Sequence, residues 1–183
     1  MIYPSLDLRL VSLIAGLWLI LTHGFALLRP APTQKWLRKL PRSKAIGGML
    51  LIVDSVWARI LIATMDLGEN SDHRKPLLVV IVIATFLTFR FVDEFLAVRA
   101  LGILLLLVAE PLIEGAFLKP ETGRLLLVAW AYVLAALGMV WVGLPYLLRD
   151  QIDWMRKSKG IWNMAAAAGI LYGGLLAVFG LMH

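Results

Sequence analysis

Residues 125–148 read LLLVAWAYVLAALGMVWVGLPYLL, 24 positions without a charged side chain. Such a run has no polar face to offer water. A helix satisfies its backbone N–H and C=O groups within itself, so the run is best placed as a helix crossing a bilayer, whose hydrocarbon core takes about 20 apolar residues. The pattern recurs at residues 10–28, 45–67, 100–118 and 161–182. A shorter run begins at Leu77 and stays apolar only to Phe89, and we extend it to residue 95 with Arg90 snorkelling to the interface. None of the runs alternates apolar and polar residues as barrel strands do. The sequence therefore predicts an all-α, polytopic integral membrane protein: one bundle over residues 1–183 with six transmembrane helices.

Composition agrees, at 61% hydrophobic and 16% charged residues against about 45–50% and about 25% in a globular domain. Cysteine is absent, which excludes disulfides, thiolate zinc sites and cysteine-held iron–sulfur clusters. A net charge of +6 can signal nucleic acid, but here the cations stand in short segments between apolar runs. That is how membrane orientation is encoded, and no nucleic-acid partner is expected. Residues 29–44, 90–99 and 149–160 hold six, two and four Lys and Arg; the N-terminal tail and residues 68–76 and 119–124 hold one, two and two. The positive-inside rule then puts the first group in the cytoplasm and both termini on the other side. The first run is expected to be an uncleaved anchor rather than a signal peptide: it is longer than the apolar part of a signal, Asp7 precedes it and its positive charges follow it. A bacterial inner (plasma) membrane is the expected location.

Three helix starts resemble one another. KAIGGMLL begins at Lys44, RALGILLL at Arg99 and, more distantly, KSKGIWNM at Lys157. Three duplicated hairpins would produce this, and so would the basic anchor and small residues common to such starts. Measured from Lys44 and Arg99, Asp54 and Glu110 come out level near mid-bilayer, and Arg59 and Glu114 level in the outer half.

The candidate chemistry lies in those buried charges, which are costly in a bilayer and therefore pair, face the bundle interior or serve an ion path. Glu110 and Glu114 share a helix face, and Pro111 between them deprives the Leu107 carbonyl of its helical partner. Asp54, Glu110 and Glu114 are the candidates for a proton or cation path. Asp54 and Arg59 lie about 140° apart around their helix, so each needs a partner elsewhere, and a structural ion pair of Arg59 with Glu114 is expected. Arg90, Asp93 and Glu94 read as an interfacial anchor. Ala165, Gly169, Gly173 and Ala177 recur every four residues and form a smooth helix-packing face. Trp18 and Trp57 are expected in the core.

His23, His73 and His183 stand apart, and no Lys falls within a run, so neither a bis-histidine haem nor a retinal Schiff base is indicated. There is no nucleophile–base or metal constellation, so no cofactor and no metal are expected, and a membrane enzyme ranks third, behind two other functions. The first is a non-catalytic structural or accessory subunit of a larger membrane assembly, joined to other subunits or to its own copies. The alternative is a small proton- or cation-coupled transporter using the intramembrane carboxylates.

Overall fold

The computed structural model describes residues 6–92 and 94–182. Asp93, one member of the anchor read around Arg90, lies outside the described residues, as does His183. Every regular element among the described residues is helical. In chain order they are α1 (Leu8–Leu28), α2 (Pro30–Lys39), a 3₁₀ turn (Leu40–Arg42), α3 (Lys44–Thr64), a second 3₁₀ segment (Gly68–His73), α4 (Arg74–Phe91), α5 (Leu96–Ala116), α6 (Arg124–Gly143), α7 (Tyr146–Arg156) and α8 (Lys159–Met182). Local chemistry sets several starts. The Asp7 carboxylate accepts from the Arg9 N–H at 3.1 Å to cap α1, and Ser43 Oγ accepts from the Ile46 N–H at 3.3 Å to cap α3. Pro30 opens α2, where its missing N–H costs nothing.

Five helices, α1, α3, α5, α6 and α8, are long and apolar enough to cross a membrane. The sixth expected span fails that test. The expectation covers 77–95, but α4 runs from Arg74 to Phe91, and its 18 residues include Arg74, Lys75 and Arg90. The chain leaves the helix at Val92 (φ −95°, ψ 85°) and turns through Phe95 in the left-handed region (φ 56°) to start α5. The fifth run, read to residue 148, also ends early: α6 stops at Gly143, and Leu144 and Pro145 lead into the separate helix α7.

Helices α1, α5, α6 and α8 form the core. Leu8, Val11, Ala15 and Leu19 of α1 meet Ala109, Leu112 and Ala116 of α5, Leu127, Ala131 and Leu134 of α6, and Leu176 and Phe179 of α8. Two glycine pairs set the closest approaches. A Cβ on Gly16 would lie 2.6 Å from the Gly173 carbonyl oxygen, and one on Gly138 would lie 2.7 Å from that of Gly102. Only hydrogen side chains let the α1–α8 and α5–α6 backbones come so near. Tyr172 of α8 donates its hydroxyl to the Leu126 carbonyl at 2.7 Å and so links the two pairs.

Helices α3 and α4 form an arm beside this core. α3 lies parallel to α5, with Gly47 against Ala97 and Leu51 clustered with Leu96 and Ala100. α4 packs chiefly on α3, through a seam of half-buried Leu78, Ile81, Thr85 and Thr88 spaced by threes and fours. Thr85 donates to Ser55 Oγ at 2.9 Å. No residue of α4 is buried.

The two most basic connectors, read as loops over 29–44 and 149–160, instead fold largely as the amphipathic helices α2 and α7. Their apolar sides close over the bundle at one end, hereafter the basic end. Leu37, Leu40, Leu148, Ile152 and Met155 pack there with Ala97, Val98 and Trp141, and the Trp141 indole N–H donates to Gln151 at 3.1 Å.

Gly47, Gly102 and Gly160 occupy matching places in the three similar helix starts, yet they meet unlike neighbours. Gly47 meets α5, Gly102 meets α6, and Gly160 meets only its own Ser158. The resemblance of the starts does not extend to equivalent packing.

Candidate functional site

The three acidic candidates fall in two places. Glu110 and Glu114 lie one turn apart on α5, which runs unbroken through Pro111, and their half-buried side chains interact with each other. Asp54 is 3% exposed on α3, on the face that carries Gly47 and Leu51 to α5, and neither of its carboxyl oxygens has a hydrogen-bond partner. The expected equal depth of Asp54 and Glu110 does not hold. It assumed an offset of 55 residues between the helices, whereas the Gly47–Ala97 contact sets it at 50. Asp54 is then opposite about Leu104, and Glu110 stands roughly 9 Å further from the basic end.

The same geometry separates Arg59 from Glu114. With Asp54 facing inward, a residue five positions on is turned about 140° away, and Arg59 is exposed. It lines a shallow groove of about 300 Å³ with Val56, Ile60, Ala63 and Leu78 of α4. No ion pair joins it to Glu114 among the described residues.

The small-residue face of α8 splits by position. Gly173 and Ala177 are buried at the α1 crossing, where Ala177 N would lie 2.7 Å from a Cβ on Gly16. Gly169 lies under the His23 ring, which occupies the space a Cβ would need. Ala165 is exposed and lines a cavity.

That cavity, about 770 Å³, opens between α1, α2 and α8 near the basic end and is not among the sites expected from the sequence. Its walls are Trp18, Leu21, Thr22, His23, Phe25 and Ala26 of α1; Pro32, Thr33, Trp36 and Leu37 of α2; Met155 of α7; and Trp162, Ala165 and Ala166 of α8. Trp18, expected in the core, is 68% exposed at its edge. The polar wall groups are turned to the protein's own backbone. Thr22 Oγ1 donates to the Trp18 carbonyl at 2.7 Å, His23 Nδ1–H donates to the Leu19 carbonyl at 3.0 Å, and the Trp162 indole N–H donates to the Ala26 carbonyl at 3.0 Å. The surface left for an occupant is mostly hydrocarbon and aromatic ring, with the indole N–H groups of Trp18 and Trp36 at its exposed side. None of Asp54, Glu110 and Glu114 lines this cavity or the groove at Arg59. The one available signal for the cavity was an amphipathic pattern in 30–39, with Pro32, Thr33, Trp36 and Leu37 on a single helical face.

No group of three or more metal-binding side chains gathers among the described residues. Comparison with protein-family models, with curated proteins and with solved structures finds no match to this chain.

Proposed function

We propose that the chain is a multi-pass membrane protein with six crossings that serves as a non-catalytic accessory subunit, presenting its α3–α4 arm to a second membrane protein or to its own copy. Topology supports the sixth crossing. α3 and α5 lie parallel with their N-termini together, so α4 returns the chain along the length of α3, as a sixth crossing would. Its 18 residues span about 27 Å, close to the roughly 30 Å of a bilayer core, and Arg74, Lys75 and Arg90 stand near its ends. The cation-rich basic end is the cytoplasmic one in this reading, both termini lie on the other side, and a bacterial plasma membrane is the proposed location.

The observation that carries the accessory role is the arm itself. α4 has no buried residue, and Arg59 stands exposed beside it without an ion-pair partner among the described residues. An intramembrane cation of this kind calls for a carboxylate or a headgroup. A photo-crosslinking residue at Val82 or Phe86 of α4, compared with one at Leu171 of α8, tests the role in native membranes. We expect a protein adduct of one mass from α4 only, lost in Arg59→Glu. Lipid adducts alone, or the same adducts from α8, would refute it.

Asp54 favours a second reading. A buried carboxyl without a hydrogen bond suits proton or cation coupling, and in that case Asp54→Asn or Glu110→Gln abolishes transport without disturbing assembly. The separation of Asp54 from Glu110 weighs against a shared path.

A further inference from the structure

We infer that the cavity between α1, α2 and α8 is a binding site for one anionic membrane lipid, with an acyl chain inside and a phosphate headgroup at the basic end. The inference rests on membrane placement and is independent of the accessory role. Three observations carry it.

The interior is chemically suited to a chain. Its Thr22, His23, buried Trp162 and Thr33 spend their donors on the carbonyls of Trp18, Leu19, Ala26 and Arg29, so a polar ligand would find little to replace its hydration, whereas hydrocarbon loses nothing on entry. About 770 Å³ lies within the usual range for small-ligand sites of roughly 300–1,000 Å³. Along α1 the walls run from Trp18 to Ala26, about 12 Å, which accommodates the part of an acyl chain nearest its headgroup.

The cavity is also open where a lipid would enter. Trp18, Leu21, Phe25 and Trp36 are each more than half exposed, so the site is a bay in the side of the bundle, roofed by α2.

Charge identifies the headgroup. Residues 29–44 contain six cations and no acid. Arg29 stands at the α1–α2 junction, three residues from both Ala26 and Pro32 of the wall, and Lys159 lies one and two turns before Trp162 and Ala166 on the same face of α8. The acids of nearby α7 are already engaged, Asp150 with Arg149 at 2.8 Å and Asp153 with Arg156 at 3.5 Å. Neither Arg29 nor Lys159 has an ion-pair partner among the described residues. A phosphate held at this rim meets positive charge while its chain lies in the bay.

Native mass spectrometry of the full chain in detergent, with added palmitoyl-oleoyl phosphatidylglycerol or phosphatidylcholine, tests the assignment. The expected result is one retained phosphatidylglycerol, about tenfold preferred over phosphatidylcholine. In the exposed double variant Arg29→Gln/Lys159→Gln the preference should vanish while weak retention of either lipid persists. Ala165→Trp, which fills the bay from its exposed wall, should abolish retention of both. Equal retention of the two lipids by the unaltered chain would overturn the proposal. So would an undiminished preference in the double variant, a result that stands even if Ala165→Trp does not fold. Failure of the α4 crosslinks would leave this result untouched, so the two readings fail separately.

Discussion

Gly173 and Gly174 are neighbours on α8 with opposite surroundings, and replacing each by alanine isolates the energetics of the α1–α8 crossing. A Cβ on Gly173 would sit 2.8 Å from the Gly16 carbonyl oxygen and 2.8 Å from Leu19 Cβ, while one on Gly174 would meet nothing within 4 Å. Ordinary contact begins near 3.4 Å, so Gly173→Ala must part the helices by about 0.6 Å, and the two nearest opposing atoms are backbone and Cβ, which cannot rotate aside. A gap of roughly 0.5–1 Å forfeits a quarter to a half of each dispersion contact. Leu19 and Leu176, both almost fully buried, lie in the core this crossing closes. Overpacking generally costs about 1–3 kcal/mol. Alanine's helix preference over glycine, about 0.8–1.0 kcal/mol, applies to both sites and cancels between them. Gly174→Ala should therefore be neutral or stabilising, with Gly173→Ala less stable than it by about 1–3 kcal/mol. Unfolding by SDS in mixed micelles, followed by tryptophan fluorescence, measures the difference, since Trp162 is bonded to Ala26 across the same pair. Two variants agreeing within about 0.5 kcal/mol would mean that the helices do not meet through Gly173.

Asp54→Val should raise stability by about 1–3 kcal/mol, the cost of an unsatisfied buried polar group, and Asp54→Asn should leave the fold intact; a loss with Val would show that something holds the carboxyl. Gly169→Ala should push the His23 ring out and break its bond to the Leu19 carbonyl, at about 0.5–1.5 kcal/mol, with the change read from the imidazole nitrogen NMR shifts. Because the chain has no cysteine, single cysteines at Lys35 and Asn70 report topology directly. An impermeant maleimide on intact cells should label Asn70→Cys only, and labelling of Lys35→Cys would invert the orientation.

Much of the fold was legible because apolar runs and helices share a length. The starts at Asp7 and Ser43 carry capping side chains, and runs such as 100–118 needed only small adjustments at their ends. What failed to read was everything set by an interface. Residues 30–39 and 146–156 are too charged to resemble spans and too short to insist on a helix, yet packing of Leu37, Leu148 and Ile152 against α5 makes them helical. Helix register is another case. The depth of Asp54 relative to Glu110 depends on which residue of α5 meets Gly47, and a 55-residue resemblance between helix starts carries no information about that contact. Arg59 shows the converse, because its angle from Asp54 was readable and excluded the partnership with Glu114 once Asp54 was placed inward. The cavity was the least legible of all, being the space left between three helices whose angles no single segment determines.

The contrast between core and arm bears on where a partner can act. Inside a bilayer, apolar surface gains little by turning from lipid to protein, so helices associate through close packing and polar links. α1–α8 and α5–α6 have the close packing, at Gly16–Gly173 and Gly102–Gly138. α4 has less of either. Phe89 covers Gly48, Thr85 bonds Ser55, and Arg74 donates to the Met65 carbonyl at 2.7 Å near the turn. An interhelical hydrogen bond in a membrane is worth about 0.6 kcal/mol on average, so these links hold α4 to α3 weakly beside the glycine crossings. A partner helix offering a carboxylate to Arg59 and a small-residue face to α4 competes with lipid there, without having to break the core. For the proposed accessory role, the same comparison favours the arm over the smooth face of α8, whose Gly173 and Ala177 are already used within the chain.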